Sequence, residues 1–100
     1  MNWDDLRFVL TLSKTGTLTR AAQVLEVEHT TVGRRVEAAE AALGVRLFTR
    51  TSSGYVPTAE AERLLAPMRQ VEEAALAVER AAAGPDASGA LPNVPRALRG

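Results

Sequence analysis

Apolar residues recur at helical spacing in the first part of the chain. Residues 3–14 carry apolar side chains on one face, with Asn2 before them as a candidate helix cap and Gly16 after them as a candidate helix stop. The segment TLTRAAQVL follows at once, with Thr17 as its candidate N-cap. Only a Glu-Val pair separates this segment from the next apolar pattern. The spacing predicts two short helices joined by a tight turn.

The third helical pattern extends from Glu28 to Leu43 and ends at Gly44. Its apolar residues recur on one side, and this predicted core face consists of Val32, Val36, Ala39 and Leu43. At about 100° per residue, the residues opposite are Thr30, Arg34, Glu37 and Ala41, with Gly33 on the flank. A glycine inside a helix costs roughly 1 kcal/mol relative to alanine, so Gly33 calls for a compensating role.

After Gly44 the pattern changes from helical to strand-like. VRLFTR and YVPT read as two short strands, and TSSG between them reads as a turn, so a β-hairpin is predicted. Pro57 restricts the second strand to an edge or end position. Thr58 then begins a long helix that reaches about Ala83, and the tail from Gly84 is Gly- and Pro-rich and predicted to be disordered.

The long helix has apolar residues at heptad-like spacing, which is typical of a surface that packs against a partner helix. The predicted interface residues are Ala61, Leu64, Met68, Val71, Ala75 and Val78. Packing of this stripe on the chain's own core is the alternative. At 1.5 Å per residue the helix extends for roughly 39 Å, more than the preceding residues are expected to cover. The chain therefore divides into residues 1–57, a linking and dimerisation helix over residues 58–83, and a tail over residues 84–100.

Composition excludes several classes of function. The 100 residues contain no cysteine and a single histidine, His29, so a zinc site and a disulfide framework are both excluded. No nucleophile with a base, metal cage or phosphate-binding loop is recognisable, so we expect no enzymatic activity, no cofactor, no metal and no small-molecule ligand. Acidic residues near the N-terminus argue against a signal peptide, and no apolar run is long enough for a membrane span. The expected location is the cytoplasm.

Charge gives mixed indications about a nucleic-acid partner. Twelve Lys and Arg balance twelve Asp and Glu, whereas nucleic-acid binders usually have a basic excess. Arg34 has Glu37 at ion-pair spacing, but Arg35 has no acidic residue at such a spacing and is expected to be free for phosphate or for solvent. His29 stands alone, so a polar role at a helix start is favoured over general-base catalysis.

Together these features resemble the N-terminal DNA-binding domain of LysR-type transcriptional regulators. The resemblance rests on TLTRAAQVL, on VEHTTVGRRVEAAEAALGVRLFTR, on the turn before PTAEAERLL and on the long helix. It covers most of residues 1–83. It implies a mainly α winged helix-turn-helix, with the helix over residues 28–43 in the major groove, the hairpin over residues 46–58 as the wing, and the long helix paired with its twin. In family members a ligand-sensing domain of two α/β lobes follows.

The resemblance also implies a set of DNA contacts. The residues expected to read bases are His29, Thr30, Gly33 and Arg34. Those expected to contact phosphate or form the wing are Thr17, Thr19, Arg35, Arg50, Ser52 and Ser53. The expected partners are double-stranded DNA and a second copy of the chain, and two linked reading helices require an inverted-repeat site.

Several residues depart from the family pattern. Glu28 stands where a capping serine is usual, Gly33 replaces a serine, and Ala61 replaces a glycine. The wing tip, Ser52 and Ser53, adds no arginine. We therefore expect weaker electrostatic affinity for DNA than in a relative with a basic wing.

A second interpretation is a truncated helical module that dimerises with a full-length regulator and modulates it. The neutral net charge and the apolar stripe of the long helix are compatible with this interpretation. The tail LPNVPRALRG does not resemble the alternating strand that usually opens the sensing domain. This slightly favours a natural end at Gly100 over a boundary made by cutting a longer protein.

Overall fold

The computed structural model describes residues 2–84, which form four helices and one two-stranded antiparallel sheet. In chain order the elements are α1 (Trp3–Thr15), α2 (Leu18–Leu25), α3 (His29–Leu43), β1 (Phe48–Thr51), β2 (Gly54–Pro57) and α4 (Ala59–Ala83). The prediction of a mainly helical chain with one small hairpin is confirmed. The predicted tail lies outside the described residues except for Gly84.

The helix ends follow from local hydrogen bonding. Asn2 begins α1, and its side-chain oxygen accepts a hydrogen bond from the backbone N–H of Asp5 at 3.0 Å. Thr17 and Thr58 cap α2 and α4 in the same way. Gly16 ends α1 in the left-handed conformation, with φ of 84°, as predicted, and the last helical residue is Thr15, one residue beyond the predicted Lys14.

The turn between α2 and α3 is short and tightly held. Glu26 adopts the left-handed conformation, with φ of 59°, and the N–H of Val27 donates to the carbonyl oxygen of Ala22 at 3.1 Å. Glu28 then precedes α3 without a side-chain capping bond, so the helix itself begins at His29. Two short helices joined by a tight turn are therefore confirmed.

The core lies where α1, α2, α3, the hairpin and the start of α4 meet. Val32, Val36 and Ala39 are buried and Leu43 is partly buried, so the predicted core face of α3 is confirmed. The buried apolar residues from the other elements are Phe8, Val9, Leu10, Leu12, Ala21, Ala22, Leu47, Phe48, Ala61, Leu65 and Met68. Alanines on α2 allow α1 and α3 to pack closely against it.

The hairpin is anchored at its open end and by its two aromatic side chains. Its strands pair in the register that sets Phe48 opposite Pro57, and Pro57 is the last residue of β2, as its missing N–H requires. The N–H of Thr58 donates to the carbonyl oxygen of Leu47 at 3.0 Å. The Phe48 and Tyr55 rings contact edge to face, with centroids 6.3 Å apart. The hairpin is thus held against the domain by its apolar face.

Only the first half of α4 packs on the domain. Ala61, Leu65 and Met68 are buried there, and Lys14 forms an ion pair with Glu72 at 3.6 Å. Ala61 and Met68 therefore belong to the core of their own chain, and assigning them to a partner interface is wrong. The heptad pattern could not distinguish packing on the chain's own core from packing on a partner helix, because both bury an apolar stripe of the same spacing.

The second half of α4 extends away from the domain, and the described residues measure 57 × 25 × 18 Å. Val71, Leu76 and Val78 are exposed on this part of the helix. No helix in residues 2–84 is long and apolar enough to cross a membrane.

Candidate nucleic-acid interface

The outer face of α3 is polar and accessible. His29, Thr30 and Arg34 are exposed because they lie opposite the buried face of the helix. Gly33 is half-buried on the flank, and a Cβ atom added to it would lie 3.8 Å from Leu18 Cδ1, an ordinary contact distance. Nothing in the described chain therefore requires glycine at this position.

A groove lies between the start of α2, the start of α3 and the hairpin. Six of the residues predicted to contact DNA line this open groove of about 330 Å³, namely Thr17, Thr19, His29, Arg50, Ser52 and Ser53. The structure brings these residues together from three elements. Hydroxyl groups and a guanidinium group are donors suited to phosphate oxygens.

The position of the hairpin relative to α1 and α2 is fixed by backbone contacts. The N–H of Tyr55 donates to the carbonyl oxygen of Gly16 at 2.7 Å. Gly54 has φ of 139°, and a Cβ atom there would overlap the same carbonyl oxygen. Arg50 extends over the Tyr55 ring, with its Cζ atom 5.4 Å from the ring centroid. The hairpin wall of the groove is therefore connected directly to the end of α1.

Glu40 is a structural residue that the sequence analysis missed. One carboxylate oxygen of Glu40 accepts hydrogen bonds from the N–H groups of Leu47 and Phe48, at 2.8 and 3.4 Å. These bonds connect α3 directly to the start of β1. Glu40 follows the buried Ala39 in an alanine-rich helix, and the sequence around it contains no signal for this contact.

Arg35 is not free of acidic partners. Its Nη1 donates to the Asp5 carboxylate at 2.8 Å, and its Cζ atom lies 5.3 Å from the centroid of the Phe8 ring. The expectation of an unpaired Arg35 is therefore wrong. It considered only acidic residues on the same helix, whereas Asp5 lies 30 residues away on α1.

Arg34 differs from Arg35 in its surroundings. Within residues 2–84 Arg34 forms no ion pair, so the spacing to Glu37 does not produce one in this structure. Arg34 thus projects an unpaired guanidinium group from the exposed face of α3.

Among residues 2–84, no three His, Asp or Glu side chains form a cluster that could hold a metal ion.

Two helices joined by a tight turn and followed by a hairpin that packs beside the second helix define a winged helix-turn-helix protein. The chain belongs to the LysR family of bacterial regulatory helix-turn-helix proteins, whose family profile matches residues 3–62. It corresponds to the DNA-binding domain of these regulators.

Individual relatives agree with this assignment. The chain is 42% identical over 78 residues to the Mau operon transcriptional activator of Paracoccus denitrificans, a match that covers 78% of this chain and 28% of that protein. The chain therefore spans less than a third of the length of this curated relative.

Solved structures show the same architecture. The complex of the CbnR DNA-binding domain with DNA superposes with a TM-score of 0.73 at 30% identity, and the match covers 83% of this chain and 97% of that one. A mutant form of OxyR of Corynebacterium glutamicum, bound to hydrogen peroxide, superposes with a TM-score of 0.82 at 25% identity. This match covers 84% of this chain and 27% of the OxyR chain.

Proposed function

We propose that this chain binds a specific double-stranded DNA site as a homodimer and thereby regulates transcription in the bacterial cytoplasm. The observation that carries the proposal is the exposed polar face of α3, which lies beside a groove lined by hydroxyl groups and a guanidinium group that are suited to bind phosphate. The described fold superposes on a DNA-binding domain that was solved with DNA, which supports the same function.

In this proposal α3 reads base edges in the major groove. Arg34 is the main reader, because its planar fork matches O6 and N7 of guanine and has no competing ion pair in residues 2–84. His29 and Thr30 add hydrogen-bonding groups next to it. Gly33 keeps the flank of the helix low, so the backbone can approach the bases closely.

Phosphate contacts hold the helix in register. The hairpin contacts the DNA phosphate backbone through Arg50, Ser52 and Ser53. The start of α2 contacts it through Thr17 and Thr19. The Thr17 oxygen already accepts the N–H of Arg20 at 3.1 Å, so its hydroxyl hydrogen remains for a phosphate oxygen.

The homodimer forms through the second half of α4 in this proposal. Ala75 is half-buried there, and Val71 and Val78 are 43% and 68% exposed on one face of the helix. Leu64, another predicted interface residue, lies in the first half of α4 and is partly buried against the chain's own core. Pairing with a second copy would remove this apolar surface from water. The two reading helices would then be related by two-fold symmetry, which requires an inverted-repeat site.

Charge limits the affinity of this complex. The formal net charge is zero, and Glu28 is exposed beside the start of the reading helix. Fewer cations reach phosphate than in a basic domain, so we expect weaker electrostatic affinity for DNA and a shallower salt dependence than in a basic domain.

Selection of bound duplexes from a random pool tests the function. We expect the selected sequences to share an inverted repeat. A pool that remains random after repeated rounds would contradict sequence-specific binding. Formation of mixed dimers with a full-length regulator, without DNA enrichment, would instead favour the dimerisation module.

A further inference from the structure

The ion pair between Asp5 and Arg35 links α1 to the flank of α3. The Asp5 side chain is only 10% exposed, and the Arg35 side chain is 38% exposed. Burying a carboxylate costs free energy unless a partner compensates it, and Arg35 supplies that partner at 2.8 Å. The Phe8 ring supports the same guanidinium group from α1. Arg35 is therefore held in one place while part of it faces solvent.

The held guanidinium group borders a second recess. Thr31, Arg34 and Arg35 line an open recess of about 250 Å³. At about 100° per residue, Arg35 lies roughly 120° around α3 from His29, which lines the hairpin groove. The two recesses therefore flank the exposed face of α3 on opposite sides. A helix in the major groove lies between two phosphate backbones, and the hairpin groove accounts for only one of them.

We propose that Asp5 is a positioning residue that holds Arg35 as a phosphate donor, and that Thr31 and Arg35 together take a backbone phosphate on the flank of α3 away from the hairpin. This inference rests on the DNA-binding function proposed above and deepens it. The contact to Asp5 uses Nη1, and it is the one hydrogen bond of this guanidinium group to another part of residues 2–84. Because an arginine fork has several donors, the remaining ones can bind phosphate.

A positioning role for Asp5 and a simple effect of net charge predict opposite changes in DNA affinity when Asp5 is removed. Removing an acidic residue from a DNA-binding protein raises its affinity when only net charge matters, because repulsion from phosphate decreases. If Asp5 positions Arg35, Asp5→Ala instead lowers the affinity for every duplex, since the freed side chain loses its fixed orientation. Asp4 provides a matched control. It is an exposed acidic residue on the same turn, paired with Arg7 at 3.2 Å.

The experiment measures the affinity of the wild-type chain, Asp5→Ala and Asp4→Ala for one scrambled duplex across a salt series. We expect Asp5→Ala to bind several-fold more weakly, with a salt slope shallower by up to about 2 for a dimer that loses two phosphate contacts. Asp4→Ala should bind at least as tightly as the wild-type chain. Asp5→Asn keeps an acceptor oxygen for Arg35 and should recover part of the loss.

Further variants separate positioning from folding. In an Arg35→Ala background, Asp5→Ala should produce no further loss of affinity, because the residue that it positions is absent. If Asp5→Ala is unfolded at the assay temperature by circular dichroism, Asp5→Leu, which fills the same space, carries the same prediction. Unchanged or tighter binding by folded Asp5→Ala, with an unchanged salt slope, would overturn the inference. A wild-type chain without salt-dependent binding would instead overturn the proposed function.

Discussion

Arg34 is the side chain on which base discrimination depends in the proposed complex. Arg34→Ala should reduce affinity for the selected site by about 1–3 kcal/mol and relax the preference at one position of each half-site. Affinities for the selected duplex and for variants at that position measure both effects. Arg80→Ala is a suitable control, since it removes the same charge from the far end of α4. Equal losses on selected and scrambled duplexes would show that Arg34 contacts phosphate.

Replacing Gly33 by alanine should have opposite effects on the stability of the chain and on its affinity for DNA. The site has room for a Cβ atom, so Gly33→Ala should stabilise the chain by roughly 1 kcal/mol through higher helix propensity. The same methyl group should weaken binding to the selected duplex if the flank of α3 approaches the bases closely. Thermal unfolding and DNA affinity, measured on one sample, test the two statements.

Gly54→Ala is the matched control for this prediction. Its added Cβ atom would meet the Gly16 carbonyl oxygen, and its φ of 139° is unfavourable for alanine, so this variant should be less stable. A destabilised Gly33→Ala, or a Gly54→Ala of unchanged stability, would show that the α3 flank or the hairpin packs differently.

Roles that depend on neighbouring residues could be predicted from the sequence, whereas contacts between residues far apart in the sequence could not. Asn2, Thr17 and Thr58 cap helices as predicted because a cap depends on a few neighbouring residues. The pairing of Asp5 with Arg35 depends on the packing of two helices, which spacing along one helix cannot reveal.

The Glu40 carboxylate connects the hairpin to α3 by hydrogen bonds. Glu40→Ala removes the acceptor for two backbone N–H groups of the hairpin, so we expect a loss of about 1–3 kcal/mol in the free energy of unfolding. Denaturant titration measures this loss. Glu37→Ala, on the exposed face of the same helix, should change stability little. Equal stability of the two variants would contradict a structural role for Glu40.

At the level of elements, periodicity predicted every helix and the hairpin because each has one buried face. It predicted the burial of α4 less well. Ala61 and Met68 continue the same stripe as Val71 and Val78, yet the first two pack on the chain's own core and the last two are exposed. Which part of a stripe faces its own domain depends on where the domain ends, and that is a property of the assembled fold.

The exposed part of α4 determines the predicted assembly of the whole molecule. Val71→Glu would place a charge in each copy of the paired surface, so the dimer should dissociate. Sedimentation at micromolar concentration measures the mass. Ala77→Glu introduces the same charge about 120° around the helix and should leave the dimer intact. A dimer that persists in Val71→Glu would place the interface elsewhere.

In the proposed function, this fold binds DNA and distinguishes its sequence. The most direct measurement compares the affinity of the wild-type chain for the selected duplex and for a scrambled duplex of equal length across a salt series. We expect tighter binding to the selected duplex at every salt concentration, and affinity for both duplexes that falls as salt increases. Equal affinity for the two duplexes, or affinity that does not change with salt, would contradict the proposed function.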